Sequence, residues 1–497
     1  MKNKPYLKLE EIFHRLGILR DIKGILHWDN ATVMPLGGSS GRSDQLAEIN
    51  ALSHAILTDN NTADLVEEAE NDKSLDFWQM ANLRLMRHKL KHSGALSKQQ
   101  VLSLSKAASA CETVWRQARV ENNFAIVLPY LENVVSLIRE CAEAKSEKLG
   151  LSPYDTLLDE FEPGGRSAEI DVQFGELESF LPNFLNEVLE KQNTNPPPSL
   201  PKGPFKISAQ HDLCLQLMSA VGFDFKHGRL DTSMHPFCGG TPDDIRITTR
   251  FDENDFTSGI MAVLHETGHS LYERQLPEKW RYQPVGEALG MAVHESQSLL
   301  IEMQLSRSLP FIEFAAPLIR DAFKGSGETW EARALYHNLI HVEPGFIRVD
   351  ADEVTYPLHV ILRYQLEKDI ITGDLALKDL PAAWNVSMEK LLGIYPANDS
   401  EGCLQDIHWY DGTWGYFPTY TLGAIISAQL FVAAENAIPN LKGKIAKGNF
   451  SPLIHWLDKN VHSLGCSIET EELVKLATGH TPNNQAFINH LKNRYLS

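Results

Sequence analysis

The sequence predicts a mainly α protein, a single large helical domain with a small β element just ahead of its most distinctive helix. Three observations carry this. Apolar residues recur at three- and four-residue spacing through residues 7–26, 41–57, 61–90, 97–120 and 126–148, the period of helices with one buried face. Residues 193–204, with Pro196-Pro197-Pro198 and Pro201, exclude a regular helix and read as an extended connection. Residues 229–250 change period: Gly239-Gly240 precedes the alternating Ile245-Arg246-Ile247-Thr248, which reads as a small strand or sheet edge.

Helical spacing resumes beyond that strand. Ile260, Met261, Leu264, Leu271 and Leu276 bury one side of a helix that Asp255 or Thr257 can cap, and a second helix is expected over residues 286–306. Toward the C-terminus, residues 453–464, 470–476 and 485–496 read as helices, and there is no internal repeat. These elements suggest a helical half over residues 1–205 and a half carrying the chemistry over 206–497.

The first of these later helices contains His265-Glu266-Thr267-Gly268-His269, the HExxH pattern. Positions i and i+4 lie one turn apart on one face, so both imidazoles can reach one cation with Glu266 beside it. A buried helix with two hydrogen-bonded histidines is the plainer alternative. A catalytic zinc wants three protein ligands and an open position, and Glu295, 26 residues after His269 in His294-Glu295-Ser296-Gln297, can return to supply the third. His294 competes for that place, but adjacent helix residues cannot point the same way. Zinc held by two neutral imidazoles and a carboxylate brings the pKa of its water toward about 7, and Glu266 suits a general base that becomes a general acid. Glu273 and Asp406 are candidates to hold the imidazoles from behind.

Five segments, in order, resemble the M32 metallocarboxypeptidases, the carboxypeptidase Taq group. They are Asp244-Ile245-Arg246-Ile247-Thr248, the HExxH, His294-Glu295-Ser296-Gln297, Ile347-Arg348-Val349-Asp350-Ala351-Asp352, and Gly402-Cys403-Leu404-Gln405-Asp406-Ile407-His408-Trp409. Trp28-Asp29-Asn30-Ala31-Thr32-Val33-Met34-Pro35 is similar too, with Val33 as a departure. The resemblance implies a helical protein with two lobes around a deep substrate groove, a homodimer, and removal of single amino acids from peptide C-termini with broad side-chain tolerance. It also places a substrate-carboxylate arginine at Arg348, whose planar fork of donors suits a carboxylate. An ion pair of Arg348 with Asp350, Asp352 or Glu353 is the structural alternative. Arg246 competes for the substrate, or braces the site through Asp244. Tyr420 and His408 are candidate donors to the tetrahedral oxyanion, and His235 in His235-Pro236-Phe237 is a further substrate-pocket candidate. The cofactor expected is one Zn2+ per chain, with Co2+ as the alternative metal.

Composition bounds the rest. The chain is 43% hydrophobic and 22% charged, near globular averages. No apolar run is long enough to span a membrane, and Met1-Lys2-Asn3-Lys4 leads directly into an amphipathic helix rather than an export signal. Six cysteines without paired spacing fit reduced thiols and a cytoplasmic protein. A net charge of −19 argues against nucleic acid as a partner. Peptides are the expected substrates. A helical zinc endo-oligopeptidase, which would not depend on Arg348 and would cut C-terminally amidated peptides, is the rival function, and zinc as a structural strut is the non-enzymatic one.

Overall fold

A computed structural model describes residues 4–196 and 198–497, so Pro197 of the proline run and Met1–Asn3 lie outside the described residues. The first helix runs Lys4–Thr32 and buries Tyr6, Leu9 and Phe13 against Leu65, Val66 and Ala69 of the helix Asn60–Glu70 and Leu83 and Met86 of the helix Phe77–Gly94. Each such side chain, taken fully out of water, contributes about 1.5–3 kcal/mol. The single helix expected over residues 61–90 is therefore two. Asp72 stops the first by accepting from the Ser74 backbone N–H at 2.9 Å, and Asp76 starts the second by accepting from Gln79 N–H at 2.9 Å while Gln79 Oε1 accepts from Asp76 N–H at 3.0 Å. That reciprocal cap outweighs the apolar spacing running through the break. Buried Asn82 ties the second helix to the chain beyond residue 280, donating to Gln283 Oε1 at 3.0 Å and accepting from Val285 N–H at 3.1 Å.

The β element comprises β1 (Gly228–Thr232), β2 (Phe237–Thr241) and β3 (Asp244–Thr249), in the order β1-β3-β2, with β1 parallel and β2 antiparallel to β3. Ile245 and Ile247 face the core, so Asp244 and Arg246 share the opposite face. Gly240 has φ of 90°, and a Cβ there would lie 2.1 Å from Asp244 O, so the tight passage from β2 to β3 requires glycine.

β3 leads into the HExxH helix, Phe256–Gln275, capped by Asp255, whose carboxylate accepts from Thr257 and Ser258 N–H at 2.7 and 3.3 Å. The next expected helix begins at Met291, runs α-helical to Leu299, and continues as a π-helix over Leu300–Ser306, where Arg307 N–H reaches back to Glu302 O. By its internal packing the chain divides into two compact units. The first comprises Met1–Leu90, Pro197–Ile340 and Gly423–Ala486; the second comprises Lys91–Pro196, His341–Leu422 and Phe487–Ser497. The second is built on the helices Lys98–Val120, Phe124–Leu149, Ser167–Thr194 and Tyr356–Thr372. Among the described residues no helix is long and apolar enough to cross a membrane.

Candidate active site

The HExxH helix is buried on nearly every side, which holds its polar residues inside the first unit. Gly268 allows this, because a Cβ there would sit 2.4 Å from Gln297 O and 2.6 Å from Ser298 Cα. The backbone of the Met291–Leu299 helix therefore packs directly on the HExxH turn. Gly423 allows a similarly close approach to Glu295 itself, a Cβ there lying 2.8 Å from Glu295 Cβ and Cγ. Glu295 is thus delivered to the histidines. Its Oε1 lies 3.9 Å from His265 Nε2, and its Oε2 lies 3.5 Å from His269 Nε2. One ligand atom from each of His265, His269 and Glu295 falls within 4.8 Å of the others.

The surroundings fit a cation. Glu302, on the π-helix, accepts from His265 Nδ1 at 3.0 Å, and a carboxylate can only accept, so the Nε2 lone pair is left for the ligand position. Arg307 holds the other Glu302 oxygen from Nη2 and Nε at 2.9 and 3.2 Å. Sequence reasoning proposed Glu273 and Asp406 for this role, and the structure corrects both. Glu273 bonds His294 Nε2 at 2.9 Å, and Asp406 binds arginines in the second unit. One signal could have found Glu302: it is the single ionisable residue in the run Leu299–Ser306, all of it buried.

Without a cation the two imidazoles shift in opposite directions. Burial lowers both, but the Glu295, Glu302 and Glu266 carboxylates outweigh it at His265 and raise that ring, while His269, stacked 4.4 Å from the His294 ring, is held low. Burial raises Glu266 to about 7, against the pull of His265. His294 is not part of the converging set. β3 brings Arg246 into this unit, where Asp244 takes its Nε and Nη2 at 3.0 and 2.7 Å and Trp28 lies 4.4 Å beneath the guanidinium. His235 is exposed on the loop between β1 and β2.

A second polar cluster forms within the second unit. Arg348 opens a 3-10 turn, Arg348–Asp350, and its backbone N–H donates to Gln405 Oε1 at 2.9 Å. Gln405 also donates to Phe346 O at 3.0 Å, so Gln405 and Asp406 together pin the arginine loop. Asp406 Oδ1 accepts from Arg348 Nη2 and Nε at 2.8 and 3.1 Å. The nearby acids considered as partners are engaged elsewhere: Asp352 accepts from Val354 and Thr355 N–H, and Glu353 binds His490, Arg494 and Tyr495. Tyr420 packs 4.8 Å from the Arg348 guanidinium, and its hydroxyl is 3.2 Å from His408 Nε2. Arg348, His408 and Tyr420 are therefore brought together, as are His265, Glu266, His269 and Glu295 in the first unit.

Comparison with known proteins identifies the family. The family profile described as "Carboxypeptidase Taq (M32) metallopeptidase" matches residues 8–495. The chain belongs to the M32 carboxypeptidases. Thermostable carboxypeptidase 1 of Thermus thermophilus is 36% identical over 99% of this chain and 98% of its own, and carboxypeptidase 1 of Bacillus subtilis is 33% identical over 98% and 97%. Among solved structures, Trypanosoma cruzi metallocarboxypeptidase 1 superposes with a TM-score of 0.97 at 39% identity, covering 99% of this chain and 100% of that one. A Pyrococcus furiosus carboxypeptidase gives 0.94 at 32% identity, covering 100% and 99%. This M32 carboxypeptidase is accordingly a metal-dependent peptide hydrolase acting at C-termini.

Proposed function

We propose that this M32 carboxypeptidase binds one zinc ion per chain through His265, His269 and Glu295, and releases single C-terminal amino acids with broad side-chain tolerance. The observation that carries the reading is the convergence of the two Nε2 atoms and the Glu295 carboxylate, with His265 fixed from behind by Glu302. Zinc, or cobalt in its place, supplies Lewis acidity at neutral pH when bound.

The chain's own groups do the rest. Glu266 takes a proton from the attacking water as the C–O bond forms, then gives it to the departing amine as the C–N bond breaks. Arg348 receives the substrate's terminal carboxylate, which is what confines cleavage to the last peptide bond. Tyr420 and His408 donate to the oxyanion, each such donor being worth roughly 3 kcal/mol. Arg246 braces the β3 face through Asp244, and His235 borders the substrate from its loop. A homodimer and a cytoplasmic site of action complete the proposal, supported by the family resemblance and by the free state of all six cysteines.

The test is hydrolysis of one short peptide, as free acid and as C-terminal amide, by enzyme stripped with chelator and reloaded with zinc or cobalt. Stepwise loss of residues from the acid alone, restored by zinc, is expected. Equal cleavage of the amide would remove the role given to Arg348, and full activity after stripping would remove the metal set. Sedimentation of the purified protein checks the dimer.

A further inference from the structure

Arg363 lies outside every motif noted in the sequence. It sits on the helix Tyr356–Thr372, in the same unit as Arg348, with its side chain fully buried. Nη1 donates to His359 O at 2.7 Å and Nε donates to Asp406 Oδ2 at 2.6 Å, while Nη2 lies 2.6 Å from the same oxygen as an ion pair without a hydrogen bond. The guanidinium lies 4.5 Å from the Trp384 ring, closing off solvent. Arg363 is therefore shut away from a substrate by its burial rather than by a lack of donors.

Its effect runs through Asp406, which gives one oxygen to each arginine: Oδ1 to Arg348, Oδ2 to Arg363. Among the described residues, Asp406 is the carboxylate among the largest charge effects on these three side chains. Glu367, one turn past Arg363, is occupied by Trp409 Nε1, Gly415 N–H and the Tyr154 hydroxyl. Burial holds His359 and His408 low, at about 3 and about 4, so neither adds charge at neutral pH. Two guanidiniums and one carboxylate leave one buried positive charge without an offset, which is costly unless a ligand supplies it. Arg348 Nη1 is the donor in reserve, holding only a 3.4 Å bond to the Tyr356 hydroxyl.

We propose that Arg363 is a positioning residue for the substrate's terminal carboxylate: by occupying Oδ2 of Asp406 it keeps Arg348 oriented yet only half offset, ready for one incoming monoanion. The proposal rests on the reading of Arg348 as the carboxylate receptor. Without the Arg363 charge, Asp406 would neutralise Arg348 fully and turn a bare carboxylate oxygen toward the incoming anion.

R363Q and R363K separate charge from bulk, since glutamine can still donate to Oδ2 but is neutral, whereas lysine keeps the charge and loses the fork. In the full-length, metal-loaded enzyme, R363Q should raise KM for a free-acid tripeptide on the order of tenfold or more, with kcat changing far less. R363K should recover most of that loss, with R348M as the reference for complete loss of the receptor. Equal KM increases in R363Q and R363K, or a fall in kcat at unchanged KM, would overturn the positioning role and leave Arg363 a packing element. An R348M enzyme with unchanged KM would instead sink the receptor reading, whatever R363Q does. Thermal unfolding of both Arg363 variants verifies that each remains folded.

Discussion

Around His265 and His269 the buried charged partners are mainly carboxylates, whereas around Arg348 guanidiniums outnumber them, so the two clusters lean to opposite signs. In the first unit Arg307 offsets Glu302, and the largest charge effects on Glu266 and Glu295 come from histidines and other acids. With neutral imidazoles, the Glu295 carboxylate and Glu266, raised to about 7, are the acids left, a set that suits a divalent cation. In the second unit the shared Asp406 leaves one positive charge, which a single carboxylate matches. A buried imbalance that folding tolerates marks where a ligand is expected, and its sign says what kind.

The comparison can be broken most sharply at Glu266. E266Q should lower kcat by about 10²–10⁴ while bound metal, measured by elemental analysis, stays stoichiometric; loss of metal together with activity would make Glu266 a ligand instead. R348M should act only on the other cluster, raising KM for free-acid peptides by roughly 10²-fold with metal affinity unchanged. Next in size, E302A should weaken zinc binding by about 10–100-fold in chelator competition, with E302Q intermediate. Unaltered zinc affinity in E302A would show that packing alone sets the His265 ring.

Two smaller effects test the scaffold of each unit. G268A pushes a Cβ into the Gln297 carbonyl and should destabilise by about 1–3 kcal/mol in denaturant unfolding. G175A, on the Ser167–Thr194 helix where a Cβ meets nothing within 4 Å, should stabilise by up to about 1 kcal/mol. A further test is a pH slope from Glu367. Burial raises its pKa from 4.5 to about 7, so the folded protein holds a proton that the unfolded chain releases. Its contribution is complete below pH 4.5 and lost as pH rises through about 7, at no more than about 1.4 kcal/mol per pH unit. E367Q should flatten that slope between pH 5 and 8, and an unchanged slope would assign it to other groups.

Most helices were legible because a buried stripe repeats every three or four residues, and the β element because Ile245 and Ile247 alternate with polar neighbours. The break at residues 71–76 was hidden because Leu75 continues the apolar spacing while Asp72 and Asp76 act through caps. His265, His269 and Glu295 were readable because metal ligation fixes residue type and spacing together. Glu302 and Arg363 were not, since each acts through a partner distant in sequence, at separations of 37 and 43 residues. Both stand out afterwards as charges within helices whose surrounding residues are nearly all buried, a pattern that periodicity alone does not flag.

The interleaving of the two units bears on how the chain is made. The stretch carrying the metal set is completed only by Gly423–Ala486, and the stretch carrying Arg348 begins at Lys91 and draws its last segment from Phe487 onward. In chain order, Gly423 is made long after the HExxH helix, so its contact with Glu295 is among the later ones of the first unit to become available. The packing of Gly423 on Glu295 thus ties the last-made segment of the first unit to the residues of the candidate metal set.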